Sequence, residues 1–372
     1  MILPVKTLSA ALMLLLLFQY THTHASQLLV RIHNPPASGT VAFMLFDSAN
    51  AFGDLRDPII LVRYSLDGRD QFAIEDVPPG EYALLVYHDE NNNNRIDKNF
   101  IGIPKEPVGF SNGYQPKGPP SYQRAAFTLA KDDTRTMDIE LARPLGEFGR
   151  IGIGVGVIAR TSPYVDYDGA VTQFIPAITY NGERLQIYGP NIQLGLIGSG
   201  KLRLAATGRY RIGAYKQDDS DFLEGMGDRR GTFMVGPAIQ AELINGLELS
   251  AGYEHDVLDK IGGGEAHLKL DKSFQLGILK LTPGISFNWM SSDFANHDFG
   301  VLAQQAKSER PAYALEDIYS IEFKMGMFIE LSRDSLFVLD VAAEILPDEV
   351  TASPIVSEDY VIKGFAVINY VF

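Results

Sequence analysis

The sequence predicts an all-β protein: a small β-sandwich first, then a transmembrane antiparallel β-barrel of about twelve strands. Three observations carry this reading. In the second half, segments of about ten residues alternate so that one face is apolar and the other charged, as lipid-facing and lumen-facing sides should be. Short and long connections take turns between those segments, as an outer-membrane barrel requires. The last stretch, YVIKGFAVINYVF at 360–372, puts Tyr360, Ile362, Gly364, Ala366, Ile368, Tyr370 and Phe372 on one face, opposite Lys363 and Asn369.

Taken in order, residues 1–25 hold one basic residue, Lys6, an apolar run at 8–18, and small residues at Thr23 and Ala25. That run is too short to span a bilayer as a helix and reads as the core of a secretory signal peptide. No later segment has the apolar length of a membrane helix, so a membrane location demands a barrel. Cysteine is absent, which excludes disulfide stapling after export and leaves each domain to its core or to lipid. A formal net charge of −14 argues against nucleic acid, which selects a basic face. The 35 glycines, 17 tyrosines and 21 phenylalanines suit a barrel with tight bends and aromatic girdles.

Within the first domain, 27–144, short strands are predicted at 28–33, 40–47, 59–65, 71–77, 82–88, 125–129 and 136–141. Val41, Phe43 and Leu45 alternate, as do Met137, Ile139 and Leu141, and Pro78-Pro79-Gly80 makes a firm turn. So many short strands in a small unit imply a sandwich. The run FAIEDVPPGEYAL at 72–84 resembles the carboxypeptidase-regulatory or transthyretin-like sandwich.

The loop DENNNNRID at 89–97 sets oxygen side chains at Asp89, Asn91, Asn93 and Asp97, with the Arg95 carbonyl between them. This is the ligand spacing of the first nine positions of a calcium loop. Asn94 stands where such loops hold glycine, and asparagine also tolerates a left-handed backbone. The twelfth position is Phe100 rather than a bidentate glutamate. The alternative is an Asn-rich turn held by its own side-chain bonds. Ca2+ is the one cofactor this sequence nominates.

After His88-Asp-Glu-Asn91, the segments Phe100-Ile-Gly-Ile-Pro-Lys-Glu106, Gly109-Phe-Ser-Asn112 and Gly118-Pro-Pro-Ser121 resemble an uncharacterised family of bacterial secreted domains, over about 28–142. That resemblance implies no activity. A long Gly- and Pro-rich loop inside a compact domain is expected to form a binding surface at one end of the sandwich.

Over 146–372 strands are predicted at 150–158, 173–181, 184–190, 191–198, 201–212, 232–243, 246–256, 264–272, 276–289, 319–331, 335–345 and 360–372. Turns at Asn181-Gly182, Ser199-Gly200, Asn245-Gly246, 273–275 and 332–334 are short, and the connections at 159–172, 213–231, 257–263, 290–318 and 346–359 are long. Pro190-Asn191 is brief where the scheme wants a long loop. An even strand count puts both barrel ends, and the first domain with them, in the periplasm.

The segment at 164–169, the strand at 176–180, Asp218-Asp219, Leu223-Glu-Gly-Met226, Asp228-Arg229, Phe299-Gly-Val301, Gln304-Gln-Ala306, Ser353-Pro-Ile-Val356 and the terminal aromatic strand stand in the order and spacing of one family. Over about 149–372 the chain resembles the MltA-interacting protein (MipA)/OmpV outer-membrane proteins. The resemblance implies an outer-membrane barrel and, from the family's namesake, a scaffold joining a lytic transglycosylase to a murein synthase. A strand ending on Phe372 likewise resembles the closing strands read by the barrel-assembly machinery. The fused sandwich departs from the usual single-barrel chain.

Little in the sequence points to catalysis. His33, His88, His255, His267 and His297 stand among solvated charges without an evident nucleophile, so an outer-membrane hydrolase is the least favoured class. Asp218, Asp219, Asp221 and Asp228 crowd one long loop, which reads as a solvated acidic face rather than a divalent-ion bridge to lipopolysaccharide. Lys201, Arg203, Arg209 and Arg211 form a cationic row expected to pair with Glu248, Glu254, Glu322 and Glu330 and so plug the lumen, the alternative being an anion-selective pore. The expected function is a non-enzymatic scaffold for murein machinery with a periplasmic recruiting domain. The competing one is a channel for small solutes, with the sandwich as ligand-binding or gating domain.

Overall fold

A computed structural model describes residues 26–146, 149–167, 169–198 and 201–372. The stretch 1–25, expected to be a signal peptide, and the turn expected at Ser199-Gly200 lie outside the described residues.

The first domain holds β1 (Ser26–Ile32), β2 (Thr40–Phe46), β3 (Ile60–Ser65), β4 (Gln71–Val77), β5 (Gly80–Asp89), β6 (Val108–Phe110), β7 (Phe127–Leu129) and β8 (Thr134–Ile139). One sheet runs β4-β1-β8, with β8 parallel to β1; the other runs β3-β2-β5-β6, with β7 also on β5. Leu28, Val30, Ile32, Phe43, Leu45, Phe72, Ile74, Leu84 and Val86 fill the space between the sheets. The second sheet is buried on its other face as well: Met44, Phe46, Leu85 and Tyr87 meet Phe52, Phe110 and Tyr114. Hence β2 and β5 read as continuous apolar runs, beyond the alternation expected for a half-exposed sheet. The covering layer comprises the short helix Ala49–Asp54 and the Gly/Pro-rich loop. That loop contributes β6, which three residues of sequence could not announce.

The barrel strands are β9 (Arg150–Thr161), β10 (Ala170–Asn181), β11 (Leu185–Tyr188), β12 (Asn191–Ile197), β13 (Leu202–Arg211), β14 (Thr232–Glu242), β15 (Leu247–Asp256), β16 (Gly264–Lys272), β17 (Phe274–Leu276), β18 (Leu279–Met290), β19 (Ile318–Glu330), β20 (Ser335–Ile345) and β21 (Tyr360–Val371). Sequence neighbours pair antiparallel, β16 pairs with β18, and β21 closes the ring on β9. Twelve strands therefore form the wall, and β17 is a three-residue flap on β18. This moves one expected turn from 273–275 to Gly277-Ile278, because Gly277 takes the left-handed φ of +63° that the reversal needs.

Outward side chains such as Ile153, Val155, Phe174, Leu202, Ile239, Leu268, Phe323, Met325 and Ile368 are exposed around the wall. An apolar girdle of this extent is stable against hydrocarbon and a liability in water. No helix among the described residues is long and apolar enough to cross a membrane.

The second departure is β11, which has four residues where a strand over 184–190 is expected. Its hairpin with β12 turns at Gly189-Pro190, and β10 pairs with it only over Thr179, Tyr180 and Asn181, helped by Gly189 N–H donating to the Ile178 carbonyl. Residues 170–177 of β10 thus have β9 on one side and no strand on the other among the described residues. Pro176, which has no N–H, faces that open side.

Candidate functional site

Inside the barrel the charged side chains neutralise one another. Arg209 bonds Glu254 and Glu265; Arg211 meets Glu265 at 2.8 Å and Asp298 at 2.7 Å; Arg160 reaches Asp298 at 3.7 Å. Lys363 lies 3.1 Å from Glu322 and 2.7 Å from Glu344, and Lys324 lies 2.9 Å from Asp340. Of the expected cationic row, Arg203 pairs with Glu248 and Arg209 with Glu254 as anticipated. Glu330 is held by the sandwich, and Lys201 makes no ion pair among the described residues. Glu265 and Asp298 are partners that the sequence reading missed. Asp298 lies on a loop helix, Ser292–Phe299, whose inward fold no strand periodicity could announce. A cavity of about 440 Å³ remains among these groups, with His267 in its lining.

The rim away from the sandwich is covered by its own loops. Tyr164, Tyr215, Leu223, Met226, Phe299, Val350 and Ile355 form a buried core over it, and the buried Arg310 guanidinium donates to the carbonyls of Phe222, Glu224 and Gln305. The acidic loop is folded by its own carboxylates: Asp219 accepts the Lys216 N–H at 2.7 Å, and Asp228 accepts that of Gln217 at 3.3 Å. Among the described residues no three His, Asp or Glu side chains gather as a metal site.

At the other rim the sandwich docks into the barrel mouth. Glu330 accepts the Tyr114 hydroxyl at 2.8 Å and meets Arg124 at 3.2 Å. Asn99 donates to the Gly182 carbonyl at 3.0 Å, Arg150 to that of Pro116 at 2.7 Å and Arg203 to that of Phe100 at 3.0 Å. Arg56 pairs with Glu242, and Lys105 with Glu183. The Phe100 ring enters the barrel against Gly195, where any Cβ would stand 2.4 Å from it, and Arg203 lies 5.7 Å from the ring centroid. A cavity of about 740 Å³ persists between the domains. Burial, followed by the Arg56 charge, lowers the Lys98 ammonium bordering it to about 8. The sequence held one clue to this junction, the apolar run Phe100-Ile-Gly-Ile-Pro104 inside a polar loop.

The calcium-loop candidates fall in one turn. Asp89 accepts the N–H groups of Asn93 at 3.1 Å and Asn94 at 2.8 Å, and Asn91 and Asn93 donate to Asp97 at 2.6 and 3.1 Å. Arg95 donates its N–H to Asn93 at 3.0 Å. Asn94 has φ +63°. Glu106, whose carboxyl burial raises, accepts from Glu90 and Asp97 beneath the turn. His255 contacts Tyr253, and His33 contacts Asp138 at an exposed edge.

Residues 153–372 match the family model described as MltA-interacting protein MipA. The chain belongs to the MipA family. Residues 30–137 match a second model, an uncharacterised protein conserved in bacteria. The chain is 26% identical over 211 residues to the outer membrane protein Omp26La of Vibrio anguillarum, covering 54% of this chain and 79% of that one. It is 28% identical over 229 residues to the MltA-interacting protein of Escherichia coli, covering 59% of this chain and 88% of that one. A NanC porin structure aligns with 59% of this chain and 98% of its own at 4% identity and a TM-score of 0.30. As a member of the MipA family with outer-membrane relatives, this protein is an outer-membrane β-barrel.

Proposed function

We propose that this protein is a non-enzymatic, non-conducting scaffold of the outer membrane, with its sandwich in the periplasm as a recruiting module for murein enzymes. One observation carries the reading: packed structure covers both mouths of the barrel, the loop core at one rim and the docked sandwich at the other. The ion-paired lumen supports it, since opposite charges satisfied across a narrow barrel leave little reason for a solute to displace them. The relatives' name, MltA-interacting protein, supports a murein enzyme as the partner class.

The two cavities favour a second reading, a gated channel. Planar-bilayer recording on the full chain separates the two. The scaffold reading expects no sustained single-channel steps, and regular steps would overturn it in favour of the channel.

Within this reading Asp89, Asn91, Asn93, Arg95 and Asp97 remain a candidate Ca2+ site that would stiffen the sandwich. The full chain should then melt several degrees higher in millimolar calcium than in chelator. Coincident melts would leave the turn held by its own hydrogen bonds alone.

A further inference from the structure

Among the described residues, the cavity between sandwich and barrel carries more cations than carboxylates. Among its carboxylates, Asp54 and Glu242 are taken by Arg56, and Glu248 by Arg203. Three cations on the same walls make no ion pair with a carboxylate among the described residues. Lys280, pointing inward from β18, makes no hydrogen bond or ion pair among the described residues and feels Asp54, Glu248 and Asp271 only from beyond ion-pair distance. Among the described residues the Lys98 ammonium donates to the Asp54 carbonyl alone, at 2.9 Å, with the Asp54 and Glu242 carboxylates beyond ion-pair distance, and the Arg150 guanidinium donates to the Pro116 carbonyl alone. Phe100, Ile101, Phe110 and Phe328 supply apolar wall beside them. A half-buried ammonium with no counter-charge at ion-pair distance is costly, whereas a charge-assisted bond to a carboxylate or phosphate is among the stronger polar contacts. The volume, about 740 Å³, falls in the range of small-molecule sites.

We propose that this vestibule binds a small organic anion, a carboxylate or phosphate monoester joined to an apolar body, with Lys280, Lys98 and Arg150 around the acidic group. Each half of the site comes from a different domain, Lys98 and Phe100 from the sandwich, Lys280 and Arg150 from the barrel, so the ligand also fastens the sandwich to the mouth. The site does not depend on whether the barrel conducts.

Isothermal titration of the full chain in dodecyl maltoside, with benzoate and phenyl phosphate against neutral benzyl alcohol, tests this directly. Both anions should bind at least tenfold more tightly than the alcohol, and the tighter of the two identifies the acidic group. Lys280→Met should weaken the anions at least tenfold, while Lys280→Arg, which keeps the charge and controls for folding, should retain them. Near pH 8, binding should take up protons, read as a dependence of the heat on buffer ionisation, because an anion favours the charged form of Lys98. Equal affinity for benzyl alcohol, no heat with either anion, or an unchanged Kd in Lys280→Met would overturn the proposal.

Discussion

Replacing Asp298 by alanine is expected to destabilise the barrel by about 3–5 kcal/mol, the usual loss when one member of a buried ion pair is removed. Its carboxylate is wholly buried and serves three partners: Arg211 at 2.7 Å, Arg160 at 3.7 Å and His297 at 2.9 Å. Arg211 would keep Glu265, but Arg160 has no other ion pair among the described residues and would remain as a buried charge offset only by the more distant Glu344. The helix Ser292–Phe299 would lose its inward anchor too. By contrast the Lys105–Glu183 pair is largely exposed, and Lys105→Ala should cost no more than about 1 kcal/mol of barrel stability. Urea titration of the detergent-folded protein, followed by fluorescence of the single tryptophan, Trp289, compares the two. Equal midpoints would show that the lumen pairs contribute no more than surface ones. Burial alone would raise the Asp298 carboxyl, and Arg211, the His297 hydrogen bond and Arg160 together hold it well below its ordinary 3.8. Its contribution is therefore complete above that value and fades as the pH falls below it.

The barrel was legible in the sequence because its strands obey one rule at every position. Ile151, Ile153 and Val155 face out, the glycines between them face in, and the same period recurs to Ile368 and Tyr370. Pairing registers follow from that period, since a slip of one residue would turn each apolar row inward. Loops obey no such rule. Tyr164, Leu223, Phe299 and Ile355 come from four separate connections and form a core only once the barrel has brought their ends together, so the acidic loop between 213 and 231 looked merely solvated. Asp298 was hidden for the same reason. In the sandwich, alternation at Val41, Phe43 and Leu45 was visible, but the second buried face depended on a loop folding back over it. The 89–97 turn was legible as a cluster, down to the left-handed backbone of Asn94, because its bonds are local.

Phe100→Ala should release the sandwich from the barrel mouth. The ring is 4% exposed, lies flush on Gly195 and is flanked by the Arg203 guanidinium, which also bonds the Phe100 carbonyl. Truncating a buried phenylalanine costs about 3–5 kcal/mol in a packed core, and even 3 kcal/mol is more than a hundredfold in an equilibrium between docked and free domains. Both domains have cores of their own, so the loss should fall on docking rather than on folding. The absence of cysteine makes this measurable. A cysteine pair at Lys105 and Glu183, whose side-chain tips meet across the junction, should cross-link rapidly with a flexible bis-maleimide reagent in the parent chain and at least tenfold more slowly with Phe100→Ala. Gly195→Leu, made on the opposite wall, should have the same effect, because its side chain would occupy the space of the ring. If either variant cross-links at the parent rate, Phe100 is not what holds the sandwich in place. The polar contacts of Tyr114 and Arg124 to Glu330 would then have to do so, and Glu330→Gln becomes the variant that separates the domains.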